Sequence, residues 1–523
     1  MNDSNPASAP ASGSADRSTD DTQRRRVGVL VIHGVGEQKR FEHLEEIALN
    51  LAKAAKGASV DVKYGSQFGR HAEQQSWHES PIIVRWKSEQ QWTEAHFREV
   101  YWADFGMPVS VWGWSHMLWW VMSMPGARVF SAGDCPGQES LDLHLHELRA
   151  PAKPPPSTRL GARFYLWFIC SIATPLVLFA KPLQMLLERL ISWDLPLPRV
   201  LMHTLGNVML YQAATVYRDR LESFDEKRRT GIRRRMVQGL LGMAAEAEKG
   251  KLDAFYILSH SLGTVVAFNA LMESPAALPN FLTEEEWENI PSGLKKNSGP
   301  PAPADQIPNR PSWLAPNDSI NREALLKKCK GFLTVGCPLD KFAALWPALV
   351  PISTHPLAPT IRWVNVADGL DIVADELHHF PTNPTTAGGL MLENHSWAGA
   401  FSPVTAHTSY WQAKPGHLIN WIVRWLEDER YPGPGLPPAS RQHKWHRFLW
   451  LIPLGLAAFL VCSAALTFLW TTQGVHWHKL HFHDWALATG FTTIWLSIGS
   501  FTVVSVSALS RRIYERWIWG PQR

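Results

Sequence analysis

The sequence is poor in cysteine and lacks the cysteine spacing of a disulfide framework or a metal site. Its five cysteines are scattered over 523 residues, and an odd, widely spaced set is typical of a reducing compartment. The charge shows no strong excess of either sign, because 51 Lys and Arg residues face 47 Asp and Glu residues. Since a nucleic-acid-binding protein normally carries a clear basic excess, we expect no nucleic-acid partner.

The N-terminal segment lacks the apolar run that a secretory signal requires. Residues 1–24 are instead rich in Ser, Ala, Asp and Pro, a composition that buries too little apolar surface to fold. We predict a disordered cytosolic tail there. The remaining chain has no internal repeat and exceeds the length that one hydrophobic core normally fills, which predicts one large domain with appended and inserted segments.

Short apolar runs alternate with helical segments between residues 25 and 430, and this alternation predicts an α/β fold with a largely parallel sheet. The first run reads RVGVLVI and leads into the turn HGVG, as a buried strand entering a tight turn does. The expected strands are residues 26–32, 81–86, 97–102, 254–258, 331–336 and 361–366. The expected helices are residues 42–55, 219–251 and 417–427.

Residues 259–263 have the pattern of a nucleophile elbow. A serine hydroxyl reacts only beside a base, and the elbow of α/β-hydrolases exposes such a serine on a strained turn between a strand and a helix. The segment reads SHSLG, follows the apolar run AFYIL and precedes a helical stretch of small and branched residues. Ser259 stands where G-x-S-x-G has its first Gly. This context predicts Ser261 as the nucleophile rather than as an ordinary helix N-cap.

Attack on a carbonyl creates an oxyanion, which needs backbone N–H donors beside it. We expect one donor from Leu262, directly after the nucleophile. The second should come from the turn after the first strand, where Gly34, Val35 and Gly36 let the backbone approach the substrate. The competing interpretation of this turn is a dinucleotide fingerprint, which would require a Gly where Lys39 stands. We favour the oxyanion hole and expect no cofactor.

The acid and base of this fold follow the serine in the chain order Ser, Asp, His. The strand predicted at residues 361–366 leads into ADGLDIV, which holds Asp368 and Asp371. His407 follows in AHTSYW, just before the last predicted helix. We therefore predict a triad of Ser261, His407 and one of the two aspartates.

Six stretches between residues 27 and 412 resemble, in order, the sequence blocks of a known family. They read VGVLVIHGVGEQ, EVYWAD, ILSHSLGTVVAFNAL, LTVGCPLD, WVNVADGLDIVA and AHTSYW. They are similar to lipase-like serine esterases of the α/β-hydrolase superfamily, the group that includes glycosylphosphatidylinositol inositol-deacylase-like lipases. In such proteins the acid commonly lies in an Asp-x-Val step, so the resemblance favours Asp371, with Asp368 as the alternative.

Two C-terminal stretches, residues 448–470 and 485–509, contain no charged residue. Each is long enough to cross ~30 Å of hydrocarbon as a helix, so we predict a transmembrane hairpin over residues 448–509. Basic residues flank both outer ends of this hairpin. By the positive-inside rule, we therefore place both flanking segments in the cytosol, namely the linker at residues 431–447 and the tail at residues 510–523. We expect an integral protein of the cell's inner or plasma membrane whose catalytic domain faces the cytosol.

Two insertions are expected within the hydrolase domain of residues 25–430. The first, residues 105–204, contains apolar stretches at 105–128 and 164–180. These stretches either cross the membrane as a pair or lie at the interface or over the site as a lid, and their Pro and Trp content favours the second alternative. The other insertion, residues 291–316, is crowded with Pro, Asn and Ser and is predicted to be a disordered surface loop.

Several other residues that could carry chemistry have ordinary structural explanations. The alternating histidines of residues 476–483 lack a companion Cys or carboxylate at ligand spacing, so we expect no metal site there. His260 and Cys337 are expected to pack rather than react. The Arg-rich run at residues 227–235 fits either a contact with lipid headgroups or a solvated helix face.

Together these features predict a membrane-anchored serine esterase that cleaves a carboxylic ester through an acyl-enzyme. The apolar segments beside the site favour a lipid or another hydrophobic acyl ester as substrate, and a thioester stays an alternative. The competing function is a catalytically inactive membrane scaffold with the same fold. An intact Ser, Asp and His in the expected order argues against that scaffold. The sequence does not define the oligomeric state.

Overall fold

The strands and helices of the protein are given by a computed structural model. The described residues are 24–35, 39–62, 81–88, 91–105, 115, 206–211, 222–297, 310–345, 349–350, 361–371, 373–374, 376–378, 380, 391–397, 406–411 and 418–434. The strands are β1 (Arg24–Ile32), β2 (Ser59–Val62), β3 (Ile82–Lys87), β4 (Trp92–Val100), β5 (Ala254–His260), β6 (Lys295–Lys296), β7 (Ser319–Ile320), β8 (Cys329–Val335), β9 (Arg362–Asp368) and β10 (Met391–Trp397). The α-helices are α1 (Glu42–Ala54), α2 (Glu222–Glu248), α3 (Leu262–Met272), α4 (Glu284–Asn289), α5 (Arg322–Lys327), α6 (Leu339–Leu345) and α7 (Leu418–Glu427).

Eight of these strands form one sheet in the order β10-β9-β8-β5-β1-β4-β3-β2. The strands from β10 to β4 run parallel, while β3 pairs antiparallel with β4 and β2 pairs antiparallel with β3. β6 and β7 form a separate antiparallel ribbon. The prediction of an α/β fold with a largely parallel sheet is confirmed.

Helices cover both faces of the sheet because its central strands are apolar on both sides. In β1, Val27, Val29 and Val31 join a core that contains buried residues of α1 and α7. Leu30 and Ile32 join the opposite core, which contains residues of α2 and α3. A strand buried on both faces reads as a continuous apolar run, which is why RVGVLVI could be recognised as a parallel strand.

The order of the strands reverses at β1. β2, β3 and β4 lie on one side of β1, whereas β5, β8, β9 and β10 lie on the other. The carboxyl ends of parallel strands share one edge, and open α/β sheets bind their ligands at that edge, beside the reversal. The segments that follow β1, β5, β9 and β10 in the chain start at this edge, and they contain the candidate site residues.

The sequence patterns do not predict β2, β10 or the β6–β7 ribbon. The ribbon corrects the prediction of a disordered loop over residues 291–316, because both ends of that segment are ordered. Leu294 and Leu314 are buried in the core, and the Arg310 guanidinium donates to backbone carbonyls. Apolar residues set among Pro and Ser thus attach this insertion to the domain. The middle of the insertion lies outside the described residues.

The Arg-rich run lies on α2, and two of its members are buried rather than exposed to lipid or solvent. Arg229 and Arg233 are 3% and 4% exposed, and Arg233 forms an ion pair with the buried Glu273. A buried guanidinium requires such a partner, since an unpaired buried charge is costly. For Arg229 and Arg233, the predictions of a contact with lipid headgroups and of a solvated helix face are therefore both wrong.

Within the described residues, no helix combines the length and apolarity needed to cross a bilayer. The predicted hairpin at 448–509, the tail at 510–523 and nearly all of the insertion at 105–204 lie outside them. β1 begins at Arg24, which corrects the placement of that residue in the predicted N-terminal tail, and residues 1–23 lie outside the described residues.

Candidate active site

Ser261 lies on a sharp turn between β5 and α3, at the carboxyl edge of the sheet. Its backbone has φ 53° and ψ −132°, a combination that costs free energy in a residue with a Cβ. The turn is held by the Ser261 backbone N–H, which donates to Val335 O of β8 at 3.0 Å. The strand, strained turn and helix expected of a nucleophile elbow are thus present at this serine.

Two glycines allow the turn to pack against the end of β1. A Cβ at Gly263 would lie 2.4 Å from His33 O, and a Cβ at Gly34 would lie 2.5 Å from the Ser261 Cβ. Neither position has room for a side chain. Ser259 takes the place of the usual first Gly without leaving a buried hydroxyl unpaired, because its Oγ donates to Leu333 O at 2.9 Å.

Ser261, His407 and Asp371 form a continuous hydrogen-bonded relay. His407 Nε2 lies 2.7 Å from Ser261 Oγ, and His407 Nδ1 lies 2.8 Å and 3.0 Å from the two carboxylate oxygens of Asp371. With the proton on Nδ1, the imidazole donates to Asp371 and can accept the hydroxyl proton of Ser261 at Nε2. This is the arrangement that activates a serine for nucleophilic attack.

The structure brings Asp371, and not Asp368, to the histidine. The Asp371 side chain is fully buried, and its Oδ1 also accepts the backbone N–H groups of Val373 and Ala374. Burial disfavours ionisation, but the hydrogen bonds from His407 and Val373 outweigh it and lower the pKa of Asp371. Asp368 Oδ1 instead accepts the Leu370 N–H at 2.9 Å.

Tyr410 joins the two aspartates, a role for which the sequence holds no recognisable signal. Its hydroxyl donates to Asp371 Oδ2 at 2.9 Å and accepts the Asp368 backbone N–H at 3.0 Å. Burial, and then the charge of Asp371, raise the pKa of Tyr410 well above its usual value. The hydroxyl therefore stays protonated and supports the carboxylate as a donor.

Two of the residues expected to form an oxyanion hole, Leu262 and Gly34, lie beside Ser261. Leu262 is the first residue of α3, so its N–H is among the helix N–H groups that have no intrahelical acceptor. Gly34 and Val35 follow the end of β1, and Gly34 contacts Ser261. Gly36 lies outside the described residues.

His33 fixes the orientation of the Gly34–Val35 peptide. Burial lowers the pKa of His33 to about 3, so its ring is neutral. Nε2 accepts the Trp102 N–H at 3.0 Å, which leaves Nδ1 to donate to Gly34 O at 2.8 Å. Because the N–H of a trans peptide points away from its carbonyl, the Val35 N–H faces away from the His33 ring.

The described residues contain no group of three or more potential ligands that could hold a metal ion. The alternating histidines of residues 476–483 lie outside them. Cys337 is buried, and burial raises the pKa of its thiol to about 12, so it packs as a small neutral residue. His260 packs as well, directly beside the relay.

A comparison of the chain with protein-family models, with curated proteins and with solved structures found no match. The similarity to lipase-like serine esterases therefore remains a prediction from sequence blocks. A serine on a strained turn, an imidazole and a buried carboxylate are the groups required for acyl transfer.

Proposed function

We propose that this chain is a serine hydrolase of the α/β-hydrolase class that cleaves a carboxylic ester through an acyl-serine intermediate. One observation carries the proposal: the unbroken relay from Ser261 Oγ through His407 to the buried Asp371 carboxylate. The relay lies at the carboxyl edge of the sheet, and its serine has a strained backbone. Such strain is retained where the surrounding structure enforces it, and it is concentrated at functional sites.

In the proposed reaction, Ser261 Oγ attacks the acyl carbon while its proton passes to His407 Nε2. The carbonyl oxygen becomes an oxyanion and accepts hydrogen bonds from Leu262 N–H and Val35 N–H. The bond from the acyl carbon to the leaving oxygen then breaks, and His407 returns the proton to the departing alcohol. A water molecule, deprotonated by His407, then attacks the acyl-serine. The bond from the acyl carbon to Ser261 Oγ breaks, His407 returns the proton to Oγ, and the carboxylic acid is released. Asp371 stays ionised and stabilises the imidazolium in both steps.

The proposed substrate is a lipid or another hydrophobic ester, and the proposed location is the cytosolic face of a membrane. Both follow from the apolar stretches of the sequence rather than from the site, because residues 448–509 and 105–204 flank the catalytic elements. A hairpin anchor would hold the site close to ester substrates that are dissolved in a bilayer.

Covalent labelling of the full chain in detergent tests the proposed activity. A fluorophosphonate probe reacts with an activated serine, so we expect labelling of the folded chain and none after heat denaturation. Digestion and mass spectrometry should place the phosphonate on Ser261. An unlabelled folded chain would instead favour the alternative of an inactive membrane scaffold, and a label on another serine would contradict the assigned nucleophile.

Membrane attachment makes a separate prediction. We expect the full chain to stay in the membrane pellet after alkaline carbonate washing, because a spanning helix buries too much apolar surface to be released. Deleting residues 440–523 together with apolar parts of the insertion at 105–204 should release the protein. A cysteine placed in the 471–484 loop should react with reagents outside the cytosol, whereas one at residue 435 should not. Release of the full chain by carbonate, or equal labelling at both positions, would contradict the hairpin.

A further inference from the structure

His260 connects the nucleophile elbow with the backbone of the base. It is the last residue of β5 and immediately precedes Ser261. Its side chain is turned into the protein, leaving the residue 7% exposed. Its ring Nε2 lies 2.7 Å from the backbone carbonyl oxygen of His407. The His260 side chain thus contacts the backbone of His407, and the His407 side chain in turn contacts Ser261.

The structure provides a fitted space for this contact. The rings of His260 and His407 lie with their centroids 4.8 Å apart. Gly336, with φ +59°, lies against both rings: a Cβ there would be 3.1 Å from His407 Cε1 and 3.2 Å from His260 Nε2. The edge of the His260 ring is further enclosed by Tyr410 and Trp411. The ring therefore has little freedom to leave the His407 carbonyl.

The hydrogen bond defines the tautomer of His260. A carbonyl oxygen only accepts, so Nε2 must carry the proton. Burial, and then the proximity of His407, lower the pKa of His260 well below its usual value, so the ring is neutral and Nδ1 carries no proton. Nδ1 is buried without a hydrogen-bond partner among the described residues. Within the described residues, the hydrogen bond of this side chain is thus the one that its Nε2–H donates to the His407 carbonyl oxygen.

We propose that His260 is a positioning residue that sets the distance between the base and the nucleophile. Two adjacent residues hold His407, because the His260 side chain binds its backbone while the Ser261 hydroxyl binds its ring. These two contacts close a small hydrogen-bonded loop, in which the base cannot move away from Ser261 without breaking one of them. This role rests on the proposed hydrolase activity, and it extends the relay beyond Ser, His and Asp.

The proposal can be tested with variants of His260 whose side-chain N–H group lies at different distances from Cα. The Gln amide nitrogen is as many bonds from Cα as His Nε2, whereas the Asn amide nitrogen is one bond closer. We expect His260→Asn and His260→Phe to lower kcat for p-nitrophenyl butyrate and the rate constant of fluorophosphonate labelling by about 100-fold, the loss typical of a displaced reacting group. KM should change little. His260→Gln should restore most of the lost rate.

The control is His96→Gln, which alters a histidine of β4 that contacts Glu94, and it should leave both rates unchanged. Thermal melting of every variant separates loss of rate from loss of folding. Equal rates in His260→Asn and His260→Gln would overturn the proposal, and so would unfolding of His260→Gln. Either result would mean that the imidazole ring, and not its N–H donor, is what the protein requires at this position. Absence of labelling in the unaltered chain would overturn the proposed hydrolase activity itself, which is a distinct result.

Discussion

Replacing Ser261 with Ala is expected to lower ester turnover by about 10⁶-fold, the loss seen when a triad nucleophile is removed. The variant loses the oxygen that bonds to the acyl carbon, while the turn and the oxyanion donors remain. Ala has the same Cβ, so its backbone tolerates φ 53° no better and no worse than Ser. Hydrolysis of a p-nitrophenyl ester and fluorophosphonate labelling measure the loss, and a thermal melt confirms folding.

Ser259→Ala is the matched control for this variant. Ser259 lies two residues earlier in the same elbow and is fully buried, but its hydroxyl donates to Leu333 O of β8 rather than to His407. Its removal costs one hydrogen bond, about 1 kcal/mol of stability, and should leave turnover nearly intact. Persistent labelling in Ser261→Ala, or equal loss in both variants, would contradict Ser261 as the nucleophile.

Asp371→Asn is expected to reduce kcat by about 10⁴-fold, as in triads whose acid is replaced by its amide. An Asn side chain fits the space of Asp371, but its amide group cannot offer two acceptor oxygens to His407 Nδ1. The imidazole then adopts the tautomer with the proton on Nε2, which points a proton at Ser261 instead of a lone pair. The imidazolium of the transition state also loses the buried charge that stabilises it.

Asp368→Asn provides the comparison, because the two aspartates are three residues apart and both are buried. The Asp368 carboxylate accepts the Leu370 N–H within the loop, so its replacement should alter the loop slightly and kcat far less. Rates of hydrolysis for the two variants, each normalised to its folded fraction, decide between them. The reverse ranking would transfer the role of the acid to Asp368.

Much of the fold could be predicted where a strand is buried on both faces. β1 contains the continuous apolar run VGVLVI and β5 contains AFYIL, and such runs indicate strands of a parallel sheet. β2 and β10 could not be predicted in this way, because they are the two edges of the sheet and contain polar residues. An edge strand is defined by the neighbour with which it pairs, and that neighbour is not encoded in its own sequence pattern.

The same distinction applies to the site. Ser261 stands in a local motif, and His407 and Asp371 follow from the chain order that the fold imposes. The contacts of His33 with Trp102, and of His260 with His407, join residues that lie 69 and 147 positions apart. These contacts exist only after the sheet has formed, so no spacing in the sequence indicates them. The sequence therefore predicts the groups that react more readily than the groups that hold them in place.

The position of β1 in the middle of the sheet has a consequence for synthesis of the protein. One edge of β1 pairs with β4, which follows soon in the chain, but its other edge pairs with β5. The Arg26 N–H next to this pairing donates to Asp253, 227 residues further along. At a translation rate of roughly 5–20 residues per second, about 10 to 45 s pass before that partner is made. During this interval the nascent chain presents an apolar strand with an open edge, and the segment made meanwhile includes residues 105–204. The ribosome-bound protein is thus prone to aggregate through β1. The nucleophile elbow can form only when β1 has paired with β5.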